Sequence, residues 1–148
     1  MKILLQRVNA AAVSVGGQEV GRIGSGLCVL VGIAAGDLEE NAARLVDKIL
    51  NLRIFADEAG KFNRSLLDIR GEMLLVSQFT LFADARRGRR PSFTGAAPPI
   101  EAAKLFAHFV ALARASGLVV ATGLFREHMH LEIHNDGPVT IMLDSQDI

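Results

Sequence analysis

Three polar side chains follow the apolar run at residues 73–76, and together they could hydrogen-bond a ligand. Ser77, Gln78 and Thr80 supply two hydroxyl groups and one amide within four residues. A buried polar group without a partner costs about 1–3 kcal/mol, so such groups either pair with neighbouring backbone or face a ligand. Three of them together favour a ligand site. A hydroxyl paired with a histidine could also perform acyl transfer, but the sequence places no histidine beside them.

An arginine-rich segment follows this polar motif. Arg86, Arg87, Arg89 and Arg90 lie within five residues, although the 16 basic and 16 acidic residues of the chain balance. The net charge therefore does not indicate a nucleic-acid-binding protein, and the local distribution of charge is more informative. The segment is either a solvated loop or a surface that contacts phosphate groups.

A second polar motif lies near the end of the chain, where Asn135, Asp136, Gly137 and Pro138 are consecutive. These residue types are usual in turns, and alone they predict a hairpin turn. A Gly-Pro peptide bond can also be cis, at a cost of about 0.5–1 kcal/mol relative to trans. It would then present two backbone carbonyls side by side, with no Cβ on Gly137 to shield them. The motif is thus a turn or a rigid main-chain probe of a ligand's shape.

Polar and apolar residues alternate just before the second motif, which predicts a strand with one polar face. That face carries His128, His130, Glu132 and His134. Histidines at this spacing can bind zinc, but no cysteine or carboxylate pattern completes a recognisable set. We favour a solvated strand face over a metal site. The sequence also has no Walker loop, nucleophile elbow or dinucleotide-binding motif, so no cofactor is expected.

The elements around these motifs predict an α+β fold. Strands are predicted at residues 2–8, 13–15, 18–23, 27–33, 53–55, 73–76, 118–122, 125–134 and 139–143. Turns are predicted at Gly16-Gly17 and at residues 24–26. One helix is predicted to begin at Asp37, capped by Asp37 and Glu40, and another at Pro99. The expected architecture is a mostly antiparallel sheet or partial β-barrel with two main helices packed on it.

The size and composition of the chain predict one domain over residues 1–148. Half of the residues are hydrophobic, which suggests an oligomer interface. The single cysteine, Cys28, lies in an apolar strand; it excludes an internal disulfide, fits a reducing compartment and is expected to be unreactive core. No stretch approaches the length of a membrane span, so the expected location is the cytoplasm.

Three motifs together closely resemble those of the D-aminoacyl-tRNA deacylase family, also described as D-Tyr-tRNA(Tyr) deacylases. They are the Ser-Gln-Phe-Thr run at residues 77–80, the Arg-Pro-Ser-Phe run at residues 90–93 and the Asn-Asp-Gly-Pro-Val-Thr run at residues 135–140. The likeness extends from residues 1–8 to residues 143–145 and so covers essentially the whole chain. The first and third motifs at this spacing are far more specific than either alone.

The resemblance implies a homodimeric enzyme that hydrolyses the ester joining a D-amino acid, or glycine, to tRNA, without a metal and without contact with membranes. It implies that the Gly137–Pro138 bond is cis, enters the active site of the opposite subunit and excludes L-amino acids. The implied catalytic residues are Ser77, Gln78, Phe79 and Thr80. The other implied substrate-binding residues are Arg7, which braces the Gly-Pro pair, and the pocket residues Ala102, Phe125 and Met129.

One segment departs from the family's usual Gly-x-Phe-Gly-Ala-x-Met pattern. Here Arg126 and Glu127 replace the Gly-Ala pair, which changes the local pocket. Two other functions remain open: a non-catalytic dimeric RNA-binding protein that uses the arginine-rich segment, and, if the Gly137–Pro138 bond is trans, a paralogue that clears mischarged L-alanine from tRNA. For catalysis we favour positioning of the ester, with backbone amides near Phe79 and Thr80 binding the oxyanion, over Thr80 as nucleophile.

Overall fold

The computed structural model describes residues 1–148 and contains eight strands, two α-helices and one 3₁₀ helix. The elements in chain order are β1 (Lys2–Val15), β2 (Gln18–Ile23), β3 (Gly26–Gly32), α1 (Glu39–Asn51), β4 (Phe55–Ala56), β5 (Phe62–Arg64), β6 (Glu72–Ser77), the 3₁₀ helix (Phe79–Phe82), α2 (Pro99–Ala115), β7 (Val120–Thr122) and β8 (Met129–Asp144). Neither α-helix combines the length and apolar composition that crossing a bilayer requires.

Strand β1 lies at the centre of the main sheet. It pairs antiparallel with β8 along one edge and with β2 and β3 along the other. Strands β3 and β6 pair in parallel, as do β6 and β7. The sheet nearly closes, because a Cβ added to Gly21 on β2 would lie 2.8 Å from the Thr122 carbonyl oxygen on β7. The predicted α+β class is confirmed.

The two parallel pairs were not part of the prediction of a mostly antiparallel sheet. Their origin is the position of the helices, since α1 lies between β3 and β6 in the chain and α2 lies between β6 and β7. A parallel pair needs a long crossover connection, and a helix usually supplies it. The alternation of strand and helix was therefore the available signal.

Strands β2 and β3 form one nearly continuous partner of β1. The Gly16-Gly17 hairpin turn is confirmed, with both glycines at positive φ (57° and 82°), as a tight two-residue turn requires. The predicted turn at residues 24–26 is wrong. Ala11 pairs with Ile23 and Val8 pairs with Gly26, so the chain bends at this point and continues along β1.

The start of α1 also differs from the prediction. The N-cap is Leu38, whose backbone N–H donates to Asn41 Oδ1 at 2.7 Å, so neither Asp37 nor Glu40 caps the helix. The Asp37 carboxylate instead accepts from the Ala34 N–H at 2.6 Å and from the α-amine of Met1 at 2.7 Å. In α2, by contrast, Pro99 occupies the first turn as predicted.

Two groups of buried residues lie on opposite faces of the sheet. The larger group packs α1 and α2 against the sheet, with Leu45, Ile49 and Phe109 almost fully buried. The smaller group includes Cys28 and Leu74. Cys28 is 1% exposed, and burial raises the pKa of its thiol to about 11.

We expect Cys28 to resist alkylation in the native protein. With a thiol pKa about three units above pH 8, roughly one thiol in a thousand is ionised, and only the thiolate reacts. Iodoacetamide labelling followed by mass spectrometry should therefore be slow until denaturant is added. Native labelling at the rate of the unfolded protein would contradict this placement of Cys28.

Candidate active site

A cavity of about 740 Å³ opens where β6 ends. Its walls come from the ends of β3 and β6 and the start of the 3₁₀ helix, from the segment that begins at Phe93 and runs into the first turn of α2, and from the segment between Phe125 and Leu131. Eleven of the 18 lining residues are hydrophobic, so the cavity suits a ligand with an apolar body and a few polar atoms.

The cavity brings together six of the ten predicted site residues. They are Ser77, Gln78, Phe79, Ala102, Phe125 and Met129. Thr80 follows directly but lies outside the lining, exposed to solvent. Arg7, Gly137 and Pro138 do not line the cavity of their own chain.

The backbone of residues 77–80 explains why polar groups collect here. The Gln78 N–H donates to the Val31 carbonyl at 2.8 Å, which extends the β3–β6 ladder by one residue. The chain then turns into the 3₁₀ helix, and the backbone N–H groups of Phe79 and Thr80 have no acceptor within the protein. One unpaired donor, on Phe79, therefore belongs to the cavity wall, and the second, on Thr80, follows directly outside the lining.

Side chains fix the edge of the cavity near these donors. The Phe79 ring is 58% exposed and packs edge-on against Phe93, with 5.1 Å between ring centroids. The Gln78 side-chain amide donates to the Thr80 hydroxyl. Ser77 and His128 both line the cavity, but no hydrogen bond joins them. Phe93 was missed as a lining residue by sequence reasoning, although the run at residues 90–93 had been noted.

The Gly137–Pro138 motif lies inside β8, not at a turn, so the predicted hairpin is wrong. Ala10 pairs with His134 and Gln6 pairs with Thr140, which leaves two extra residues on β8 between these points. The extra length bulges out of the ladder. The Gly137–Pro138 bond is cis, and Gly137 has a φ of 128°.

The Arg7 side chain contacts this bulge and stabilises it. Its Nε lies 3.1 Å from both the Asp136 carbonyl and the Asp136 carboxylate, and its Nη1 donates to the Ile54 carbonyl at 2.7 Å. The guanidinium also lies over the Phe62 ring, 5.2 Å from the centroid. Only 11% of the Arg7 side chain is exposed. Sequence reasoning missed Phe62 and Ile54, because nothing in the sequence links residues that lie so far from Arg7.

The segment that departs from the family pattern forms part of the cavity wall. Arg126, Glu127 and His128 all line the cavity, and the Glu127 N–H donates to the Leu124 carbonyl at 3.3 Å. Arg126 has a φ of 67°, a left-handed conformation that glycine adopts without cost and most other residues avoid. The glycine that is usual in the family at this position would suit the same turn.

The face that alternates His130, Glu132 and His134 on β8 is exposed to solvent. No three histidine, cysteine or carboxylate side chains lie close enough to hold a metal ion.

The fold and the cavity define an α+β protein with hydroxyl, amide and unpaired backbone N–H groups beside an apolar binding space, an arrangement that suits an enzyme acting on a partly apolar substrate. Residues 4–144 match the family described as D-Tyr-tRNA(Tyr) deacylase, and the chain belongs to this family. The resemblance drawn from the sequence is therefore confirmed, as is the prediction of a hydrolase.

Relatives and solved structures agree with this membership. A D-aminoacyl-tRNA deacylase of Dehalococcoides mccartyi is 60% identical, and the match covers 99% of this chain and 96% of the relative. One of Thermotoga petrophila is 55% identical over 98% of this chain and 97% of its own length. A solved structure named c-Myc DNA Unwinding Element Binding Protein has a TM-score of 0.91 at 42% identity, covering 97% and 98% of the two chains. A probable eukaryotic D-amino acid tRNA deacylase has a TM-score of 0.87 at 20% identity, covering 96% and 97%, and supports the fold alone.

Proposed function

We propose that this protein hydrolyses the ester between a D-amino acid, or glycine, and the 3′ end of tRNA. The observation that carries the proposal is the meeting of Ser77, Gln78 and Phe79 with Ala102, Phe125 and Met129 around one cavity. The names of relatives that are up to 60% identical supply the reaction and the substrate.

The proposed active form is a homodimer in which Gly137 and Pro138 of one subunit enter the cavity of the other. Two observations support this arrangement. The bulge does not line the cavity of its own chain, and β8 pairs with β1 alone, so its other edge is free over 16 residues. A free edge of that length is a template for pairing with a second chain unless it is covered.

Selection between the two hands of the substrate would then be steric. Glycine and proline offer backbone atoms, held in place by Arg7, and no long side chain that could move aside. The Cα substituent of an L-amino acid would meet these atoms, whereas a D-substituent would point away from them. A glycine substrate has no Cα substituent, so it would not be excluded. Discrimination by a clash with the wrong ligand does not need a tailored pocket for each amino acid.

Hydrolysis would proceed by attack of water on the ester carbonyl carbon, with the unpaired N–H groups of Phe79 and Thr80 binding the oxyanion. One donor of this kind contributes about 2.7–4 kcal/mol to transition-state stabilisation. The substrate's own ribose hydroxyl would assist the water, and the bond to the ribose oxygen would break as that oxygen takes up a proton. The Thr80 hydroxyl bonds to the Gln78 amide, which donates to it and cannot act as its base.

We expect Thr80→Ala to keep measurable turnover. The change removes one side-chain hydrogen bond, worth about 0.5–1.5 kcal/mol, so kcat/KM on D-aminoacyl-tRNA should fall by about tenfold or less. Thr80→Ser should behave like the unmodified protein. Complete loss of turnover by folded Thr80→Ala, or an acyl-Thr80 adduct trapped in the unmodified protein and found by mass spectrometry, would support the nucleophile scheme instead.

One assay separates the proposed function from its competitors. Deacylation of tRNA charged with a D-amino acid, an L-amino acid or glycine should show rapid cleavage of the first and third alone. A second candidate, a nucleic-acid-binding protein without catalysis, is favoured by the arginine-rich segment and by the name of the 42% identical structure. It would bind all the charged tRNAs and cleave none. Selective cleavage of L-alanyl-tRNA would instead identify the paralogue.

A further inference from the structure

The arginine-rich segment forms a closed loop, here called the arginine loop (residues 84–92). Asp84 and Ser92 exchange two backbone hydrogen bonds, of 2.7 Å and 2.8 Å, which fasten its two ends together. All four arginines of the loop are exposed. The loop therefore projects as one unit, and the pairing at its ends fixes where it leaves the protein.

Only one of the four arginines in the loop is paired with a carboxylate. Arg86 donates to the Asp84 carboxylate through Nε at 2.9 Å and through Nη2 at 2.7 Å. This pair lowers the pKa of the Asp84 carboxyl and raises the pKa of Arg86. Arg87, Arg89 and Arg90 have no acidic partner and no hydrogen bond to the protein. Three guanidinium groups are left available to an external anion.

The arginine loop ends next to the edge of the cavity. Ser92 is followed by Phe93, which lines the cavity and packs against Phe79. Arg90 is three residues from Phe93, and three extended residues span at most about 11 Å. A polyanion whose terminal group occupies the cavity can therefore reach Arg90, and Arg87 and Arg89 lie on the same exposed loop.

We propose that Arg87, Arg89 and Arg90 bind backbone phosphates in the single-stranded 3′ end of the substrate tRNA. The inference rests on the proposed function and adds the surface that would hold the nucleic acid. Guanidinium groups pair well with phosphate oxygens, and contacts to phosphates do not depend on base sequence. The loop would thus let one site accept tRNAs of different sequence.

The test is the salt dependence of deacylation by a triple variant, Arg87→Gln, Arg89→Gln and Arg90→Gln. Each phosphate contact to a single strand contributes about −0.7 to the slope of log affinity against log salt concentration, so three contacts contribute about −2. We expect the slope of log(1/KM) for D-aminoacyl-tRNA to become shallower by about 2 between 50 and 200 mM salt. The ratio of the variant's KM to that of the unmodified protein should therefore be about 20-fold larger at 50 mM than at 200 mM salt, with kcat unchanged.

Two further variants serve as controls. Arg53→Gln, Arg70→Gln and Arg114→Gln remove the same number of exposed arginines away from the cavity, and this variant should keep the slope of the unmodified protein. Replacement of Arg87, Arg89 and Arg90 by lysine keeps the charge and should keep most of the slope. Equal effects of the two glutamine variants would overturn the inference, because they would reflect net charge alone.

A substrate without phosphates separates this inference from the proposed function. The D-aminoacyl ester of adenosine should be cleaved equally by the unmodified protein and by the glutamine variant of the loop. If the unmodified protein cleaves neither this ester nor D-aminoacyl-tRNA, the proposed function fails and the inference fails with it. If the unmodified protein cleaves both substrates, the proposed function stands. In that case the arginine loop does not bind phosphates if the loop variant cleaves D-aminoacyl-tRNA as well as the unmodified protein does. The same conclusion follows if the variant loses as much activity on the adenosine ester as on D-aminoacyl-tRNA.

Discussion

Replacement of Gly137 by alanine is expected to reduce kcat/KM on D-aminoacyl-tRNA by about 100-fold or more while the protein stays folded. Gly137 has a φ of 128°, which side-chain-bearing residues rarely adopt, and an added Cβ would lie 3.0 Å from the Val139 backbone nitrogen and 3.2 Å from Arg7 Nη2. The bulge must therefore move. A displacement of about 1 Å in a group that positions a substrate can cost about 100-fold in rate.

The matched control for this variant is Gly117→Ala. Gly117 also has a positive φ, of 79°, but nothing lies within 4 Å of an added Cβ, and the residue is not part of the cavity. Its variant should lose a little stability and no activity. Circular dichroism and steady-state deacylation measure both effects. A Gly137→Ala protein that is folded and fully active would place Gly137 outside the working site.

Gly26→Ala is expected to cost about 4 kcal/mol or more in the free energy of unfolding, enough to prevent folding of a marginally stable protein. An added Cβ would lie 1.9 Å from the Glu72 carbonyl oxygen and 2.6 Å from the Glu72 nitrogen. Backbone atoms in a paired strand cannot move aside as a flexible side chain can. The clash falls where β3 and β6 begin to pair, so it would force β3 away from β6, the strand that ends at Ser77.

A glycine two residues earlier provides the comparison. A Cβ on Gly24 would meet only the end of the Glu72 side chain, at 3.8 Å, so Gly24→Ala should change the free energy of unfolding by less than about 1 kcal/mol. Urea unfolding of both variants gives the difference. Equal midpoints would show that β3 and β6 can separate at this point without loss of the fold.

The parts of the fold that depend on local chemistry could be predicted from the sequence. The buried strand before Ser77, the Gly16-Gly17 turn and the start of α2 at Pro99 each follow from residue types within a few positions. The site residues were predicted from sequence motifs, and six of the ten line the cavity.

The errors arose where long-range pairing overrides local preference. Gly24 and Ser25 have the composition of a turn, but the length of β1 keeps them in register opposite it. Gly137 and Pro138 are also typical turn residues, yet β8 continues past them because β1 pairs with β8 on both sides of the bulge. The hydrogen bond from Arg7 to the Ile54 carbonyl could not be predicted either, since the two residues are 47 positions apart in the sequence.

The pairing of β1 with β8 also determines the order in which the sheet can be completed during translation. The first 32 residues contain β1, β2 and β3 and can form a long hairpin as soon as they leave the ribosome. The strand that covers the other side of β1 is Met129–Asp144, which is synthesised after all the other strands of the sheet. Nascent chains therefore expose one side of β1 through most of synthesis, the interval in which unpaired strands aggregate most readily.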